Sequence, residues 1–330
     1  MLRGHGDTAR ALGLHGTEGR SATVNLSHDE DTRASLLPIG VVVEILRRDY
    51  PDVSHSSLRF LEREHLVRVE RTAGGHRLYS RDTVERIRLI KHWQSRRWSL
   101  ADIRVRLDQL DTLPPPSQLA DAFLHLALKG ELAGASRLIL DAADAGLPIE
   151  RIFGDILDPA LQKLGAFWSE GVVQVAQEKE LSEIARELIT DLTLRHAGHP
   201  SGPSLVAASV EGERHELGLR MVCGLLRIHR YRVHFLGADV ATRFLVESVL
   251  LHHPIAVLLS ASQEAQLPAM QEAIGQVLAC AREDAPLLVL AGGALAHRQA
   301  EAIRSSGAVP LHGPHLSALM TTLLRLLAQA

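Results

Sequence analysis

The hydrophobic period of this chain changes at one place, and that change limits its fold more than any other feature. Before the linker His199-Pro200-Ser201-Gly202-Pro203 apolar residues recur at helical spacing; after it, short apolar runs alternate with longer amphipathic segments. The runs are Ser204–Val210 and residues 231–236, 255–260, 287–291 and 308–311. Five such runs with helix-length connections predict a doubly wound parallel sheet over residues 203–330.

The residues ahead of the linker read differently. From 118 to 198 the pattern is amphipathic helix, broken at Gly130, at Gly146-Leu147-Pro148 and at Gly171, which predicts a four-helix bundle. Pro114, Pro115 and Pro116 supply no amide donors, so 113–117 is a proline-rich linker and the clearest boundary. Residues 34–112 predict helices at 39–48 and 54–65, a hairpin with a tight two-residue turn at Gly74-Gly75, and two further helices. Residues 1–33 are rich in Gly, His, Ser, Thr, Asp and Arg without apolar period and read as a flexible arm. The expected fold class is therefore multidomain, α followed by α/β.

Charge separates these segments further. The chain carries a net charge of -3, yet residues 34–112 hold fifteen Lys or Arg and eleven Asp or Glu, so that segment is +4 and the rest -7. An anionic partner is expected for that segment alone. The two cysteines, Cys223 and Cys280, form no C-x-x-C pair, and no apolar run reaches the length of a membrane span. These features predict a soluble cytoplasmic protein with neither a disulfide framework nor a structural zinc site.

In the basic segment Ser54 is placed to cap a helix whose buried face is Leu58 and Leu61 and which presents His55, Ser56, Arg59 and Arg63 outward or at its flanks. Such a helix suits a major groove, and Arg68, Arg71 and Arg77 on the hairpin suit phosphates. A solvated charged face is the plain alternative. The stretches Leu58-Arg59-Phe60-Leu61-Glu62, Gly74-Gly75-His76-Arg77-Leu78-Tyr79-Ser80 and Trp98-Ser99-Leu100-Ala101-Asp102-Ile103 together resemble the MerR-type winged helix-turn-helix. That resemblance implies that Arg59, Arg77 and Tyr79 contact DNA.

In a doubly wound sheet, ligands bind outside the carboxyl ends of the strands. The first such loop holds Glu213-Arg214-His215-Glu216-Leu217-Gly218, where His215 can offer one ring nitrogen to a metal while Glu213 accepts the other N–H. The third strand ends in Ser260-Ala261-Ser262 and the fourth in Gly292-Gly293, small residues against which a bulky cofactor can lie. No G-x-G-x-x-G opens the first helix, so a dinucleotide is poorly supported. These features resemble the cobalamin-binding domain of methionine synthase, mutases and light-responsive regulators. The resemblance implies His215 as lower cobalt ligand, Glu213 as its partner, Gly218 as a close-approach residue, and Ser260, Ser262 and Gly292-Gly293 along the nucleotide tail. Ser262 stands where that family has Leu.

Trp168 and Glu178 are similar to a W-x9-E-H motif, with Lys179 in place of the His and Ser169 after the Trp. Plain bundle core is the other reading of Trp168. The order winged helix, bundle, sheet resembles the CarH/LitR-type photoreceptors. It implies a transcriptional repressor that binds a double-stranded DNA operator as a dimer or tetramer, with adenosylcobalamin as its light-sensitive cofactor and Trp168 and Glu178 over the upper face. A methyltransferase or mutase subunit, and a MerR-type regulator that has lost cofactor dependence, are the competing readings.

Overall fold

The computed structural model describes residues 36–281 and 287–330. The expected arm at 1–33 lies outside them. The described residues form two compact units, divided between residues 113 and 114.

In the first unit, strand β1 (Leu37–Pro38) leads into helices α1 (Ile39–Arg47) and α2 (His55–Arg63). Strands β2 (Glu70–Arg71) and β3 (Arg77–Tyr79) and helices α3 (Arg81–Ser95) and α4 (Leu100–Thr112) follow. The start of α2 is fixed by a reciprocal cap: the Ser57 amide donates to Ser54 Oγ at 3.1 Å and the Ser54 amide to Ser57 Oγ at 2.8 Å. Leu46, Leu58, Leu66, Tyr79, Ile87, Ile90 and Ile103 fill the core. The three strands pair antiparallel in the order β1-β3-β2, and β1 is an element the sequence pattern does not reveal. The hairpin loop departs from the expected two-residue turn. Thr72 donates to the His76 carbonyl and Gly75 to the Thr72 carbonyl, with Gly75 alone at φ +79°. That is a three-residue loop closed by a glycine bulge, which demands one left-handed residue rather than two.

The second unit begins with four bundle helices. They are α5 (Pro116–Leu128), α6 (Leu132–Asp144), a composite third helix and α9 (Val175–His196). Pro116 occupies the first turn of α5, so the proline run opens a helix as well as closing one. The third helix is α7 (Ile149–Arg151), a π-helical stretch at Ile152–Leu157, then α8 (Asp158–Ser169). Pro159 accounts for the widened turn, because its ring nitrogen cannot donate to the Asp155 carbonyl and its ring would press against that oxygen. Helix α9 packs along α10 (Leu217–Ile228), where Gly224 leaves room for Thr193 and Phe153.

The sheet holds β4 (Ser204–Val210), β5 (Arg232–Val240), β6 (Ala256–Ser260), β7 (Leu288–Gly292) and β8 (Val309–Pro310), all parallel, in the order β5-β4-β6-β7-β8. The connecting helices are α10, α11 (Thr242–His252), α12 (Leu267–Leu278) and the short pair α13 (Ala294–Arg298) and α14 (Ala300–Ser305); α15 (Leu316–Leu327) closes the unit. Strand β5 runs four residues past the expected end, through register shifts and the positive φ angles of Gly237 and Asp239. The chain leaves β4 for β5 on one side and returns to β6 on the other. Strand order therefore reverses between β4 and β6, and the crevice of such a sheet opens beyond the carboxyl ends of those two strands.

Candidate functional site

Val210 ends β4 at that crevice, and the next residues form a loop organised by one carboxylate. Glu213 is 0% exposed. Its Oε1 accepts from the His215 amide at 2.6 Å and lies 2.7 Å from His215 Nδ1; its Oε2 accepts from the Ser262 amide at 2.5 Å, so the loops after β4 and β6 are tied together. Burial alone would raise the Glu213 pKa, but hydrogen bonds from the His215 ring, Ser262 and the His215 amide outweigh it and hold the group at about 2. Glu213 is thus a fixed anion. Its hydrogen bond to Nδ1 raises the pKa of the His215 ring, on a side chain that is 72% exposed.

The rest of the loop is held with equal care. Asp239, at φ +54°, accepts the Gly212 amide at 2.7 Å and donates its own amide to the Glu213 carbonyl at 2.8 Å. Buried Ser209 donates to the His215 carbonyl at 3.3 Å. Gln266 accepts from the Ser262 and Gln263 amides at 3.0 and 2.9 Å and donates to the Gly212 carbonyl at 3.0 Å. None of these three follows from local spacing; a buried amide such as Gln266 is recognisable only once the fold is known.

The small residues divide by role. A Cβ on Gly218 would point into open space, whereas one on Gly293, at φ +85°, would stand 2.2 Å from the Ala261 carbonyl oxygen. Gly293 is therefore required by the protein's own packing. A Cβ on Gly292 would meet only the Leu259 oxygen at 3.9 Å. Ser260 ends β6 in register with Ser209 and Gly292. Ser262 contributes its backbone amide, so the serine standing where the similar family has leucine does not disturb the contact to Glu213. Arg298 donates to the Ser262 carbonyl.

On the bundle, Trp168 is 53% exposed near the end of α8, which corrects its reading as plain core. Glu178, in the first turn of α9, accepts from Ser182 Oγ at 2.8 Å and pairs with Lys179 at 3.1 Å. The charges of Glu178 and Lys179 act on the His215 ring in opposite senses, the first favouring and the second opposing its protonation. Ser169 is occupied as a donor to the Ala166 carbonyl.

In the first unit His55, Ser56 and Arg59 are exposed along α2, and Arg68 is exposed ahead of the hairpin. Ser54 spends its side-chain oxygen on the cap. Arg71 and Arg77 both pair with Glu62 of α2, at 2.8 and 2.5 Å, which fastens the hairpin to that helix. Tyr79 is a correction: its side chain is 0% exposed, its hydroxyl has no hydrogen-bond partner, and it presents no surface to DNA. Its ring is a core residue, pulled inward because it lies on the face of β3 that covers α1.

In this order of domains the chain resembles MerR-type helix-turn-helix regulators joined to a B12 binding domain. The signature of the MerR HTH family regulatory proteins matches residues 50–110, and two signatures described as B12 binding domain match residues 119–192 and 203–319. Among particular proteins, the HTH-type transcriptional repressor CarA of Myxococcus xanthus is 29% identical over 267 residues, which span 78% of this chain and 88% of that repressor. The repressor CarH of the same organism is 35% identical over 126 residues, 37% of this chain and 40% of CarH. The monomethylamine corrinoid protein of Methanosarcina barkeri has the same fold over 64% of this chain and 100% of its own, with a TM-score of 0.55 and 18% identity. Among the described residues no helix is long and apolar enough to cross a membrane.

Proposed function

We propose that this protein is a cytoplasmic, operator-binding repressor, not an enzyme, that holds adenosylcobalamin between bundle and sheet and is switched by light through its assembly as a dimer or tetramer. The observation that carries the reading is the His215 ring, held at Nδ1 by a wholly buried carboxylate on a side chain that is itself 72% exposed. Cobalamin bound there would supply a cobalt able to accept an imidazole and a light-cleavable cobalt–carbon bond. His215 provides the imidazole, Glu213 fixes its tautomer and direction, and Gly218 leaves the approach open. Gly292, Ser260 and the loop that Gly293 and Ser262 shape line the path of the tail. The exposed indole of Trp168 and the carboxylate of Glu178 cover the opposite side, where an aromatic face and an acceptor suit a nucleoside. On the DNA side His55, Ser56 and Arg59 face the groove, and Arg68, Arg71 and Arg77 face phosphates. A short reading helix buries too little surface for tight specific binding alone, which favours an oligomer.

The test is the absorption spectrum of the protein incubated with adenosylcobalamin in darkness. A ligated corrin is expected for the wild type and for His229→Ala; His215→Ala should bind weakly and shift toward the base-off spectrum. Size-exclusion profiles and operator binding before and after green illumination then test the switch, and identical profiles with unchanged binding would remove light sensing through assembly. Lys179 favours one second reading, a regulator without cofactor dependence, which a wholly unaltered corrin spectrum would support.

A further inference from the structure

One face of the last bundle helix reaches the loop after β4 through Arg186. Glu178, Ser182 and Arg186 stand four residues apart in turn on α9 and so share a stripe. Ser182 donates to Glu178, whose charge bears on His215, and two turns on Arg186 Nε donates to Glu216 Oε1 at 2.9 Å. Glu216 directly follows His215 in the chain and opens α10.

Its carboxylate is held from several elements. The side chain is only 11% exposed, and Oε1 also accepts from Arg220 Nη2 at 2.9 Å, one turn along α10. The Arg220 guanidinium lies over the Phe235 ring of β5 at 4.8 Å. Gly237, at φ +95°, lies beside Glu216, and a Cβ there would stand in ordinary contact 3.4 Å from Oε2. Arg186 is the only member of this group that comes from the bundle. A nearly buried carboxylate that loses such a partner must move or find another, and when residue 216 moves the backbone of residue 215 turns with it. The His215 ring is in hydrogen-bonding contact with Glu213, and its carbonyl accepts from Ser209.

We propose that the Arg186–Glu216 pair is a positioning contact that couples docking of the bundle to the direction in which His215 presents Nε2. The proposal rests on the reading of His215 as the cobalt ligand. It makes bundle and ligand loop one mechanical element: a change of occupancy above His215 is transmitted to α9 through Glu216, and displacement of α9 loosens the lower ligand.

The experiment uses the full chain with adenosylcobalamin in darkness. Arg186→Gln and Glu216→Gln should each weaken cobalamin binding about 10-fold, the scale of outer contacts to metal ligands, and shift the bound corrin toward the base-off spectrum. The double variant should be no worse than either single one, as for partners in one interaction. Arg195→Gln, on the same helix but paired with Asp191, should leave spectrum and affinity as in the wild type. Arg186→Lys keeps the charge and should restore part of the ligated spectrum; it carries the test if either glutamine variant fails to fold. Wild-type spectra and affinities in Arg186→Gln and Glu216→Gln, with His215→Ala defective, would overturn the coupling alone, as would additive losses in the double variant. A wild-type spectrum in His215→Ala would overturn this proposal and the ligand assignment together.

Discussion

Each unit of this protein is organised around one glutamate, and the two do opposite things with it. Glu62 in the DNA-binding unit is partly exposed and takes two guanidinium groups, Arg71 and Arg77. Glu213 in the sheet unit is wholly buried and takes two backbone amides and an imidazole. An exposed carboxylate between cations is easily exchanged, for water, salt or a phosphate, and its worth is small. A buried one whose partners are mostly backbone has no substitute. The first therefore suits a surface whose charged partners exchange, the second a loop whose geometry stays fixed.

The largest effect expected from this contrast is at Glu213. Glu213→Ala leaves the amides of His215 and Ser262 and the imidazole without their acceptor, and should cost about 3–5 kcal/mol, the range for breaking a buried charged network. Denaturant titration of the full chain measures the loss, and hydrogen exchange should locate it at the His215 and Ser262 amides. A loss below about 1 kcal/mol would show that water replaces the carboxylate, and the contrast with Glu62 would collapse.

How much of this was legible beforehand follows from the range of each contact. The Glu213–His215 pair could be read because both partners lie two residues apart in one loop, and the five strands because buried parallel strands leave continuous apolar runs. The tie from Glu213 to Ser262 and the clasp of Gln266 on Gly212 join residues 49 and 54 positions apart, and nothing local encodes them. The three-residue hairpin loop was hidden because Gly74-Gly75 satisfies two turn geometries and only the strand register chooses between them. At Trp168 the sequence left two readings, a cofactor cover and plain bundle core, and its place near the end of α8 leaves the indole uncovered and removes the second.

Glu62 should respond on a smaller scale and in two directions. Burial raises its pKa, but the hydrogen bonds from Arg77 and Arg71 prevail and hold it below its ordinary 4.5. A carboxylate depressed in the folded state contributes stability above its unfolded pKa and loses it as pH falls through the folded value. Glu62→Gln should thus destabilise the hairpin by at most about 1 kcal/mol at neutral pH, discounted for exposure. The gap from wild type should close below pH 4.5, read by hydrogen exchange of the β2 and β3 amides. The same substitution frees Arg71 and Arg77, so operator affinity at low salt should rise and its salt dependence steepen. Lower affinity would mean that Glu62 holds the hairpin in its reading position and that the pair is as geometric as Glu213.

The smallest effect sharpens the comparison most, because it concerns a residue whose motif and surroundings disagree. The hairpin triplet Arg77-x-Tyr79 resembles a DNA-contacting motif, yet the Tyr79 ring is enclosed by the first core and its hydroxyl is buried without a partner. Burial also raises its pKa, so the phenol stays protonated through the working range. Removing an unsatisfied buried hydroxyl while keeping the ring is neutral or stabilising by up to about 1 kcal/mol. Tyr79→Phe should therefore match or exceed the wild type in denaturant midpoint and bind operator DNA with unchanged affinity. Arg59→Ala, exposed on α2, should lose about 1–3 kcal/mol of binding if it meets a base. If Tyr79→Phe instead weakens operator binding while the midpoint holds, the hairpin must open on DNA to release the phenol, and the first unit would be the one that changes shape.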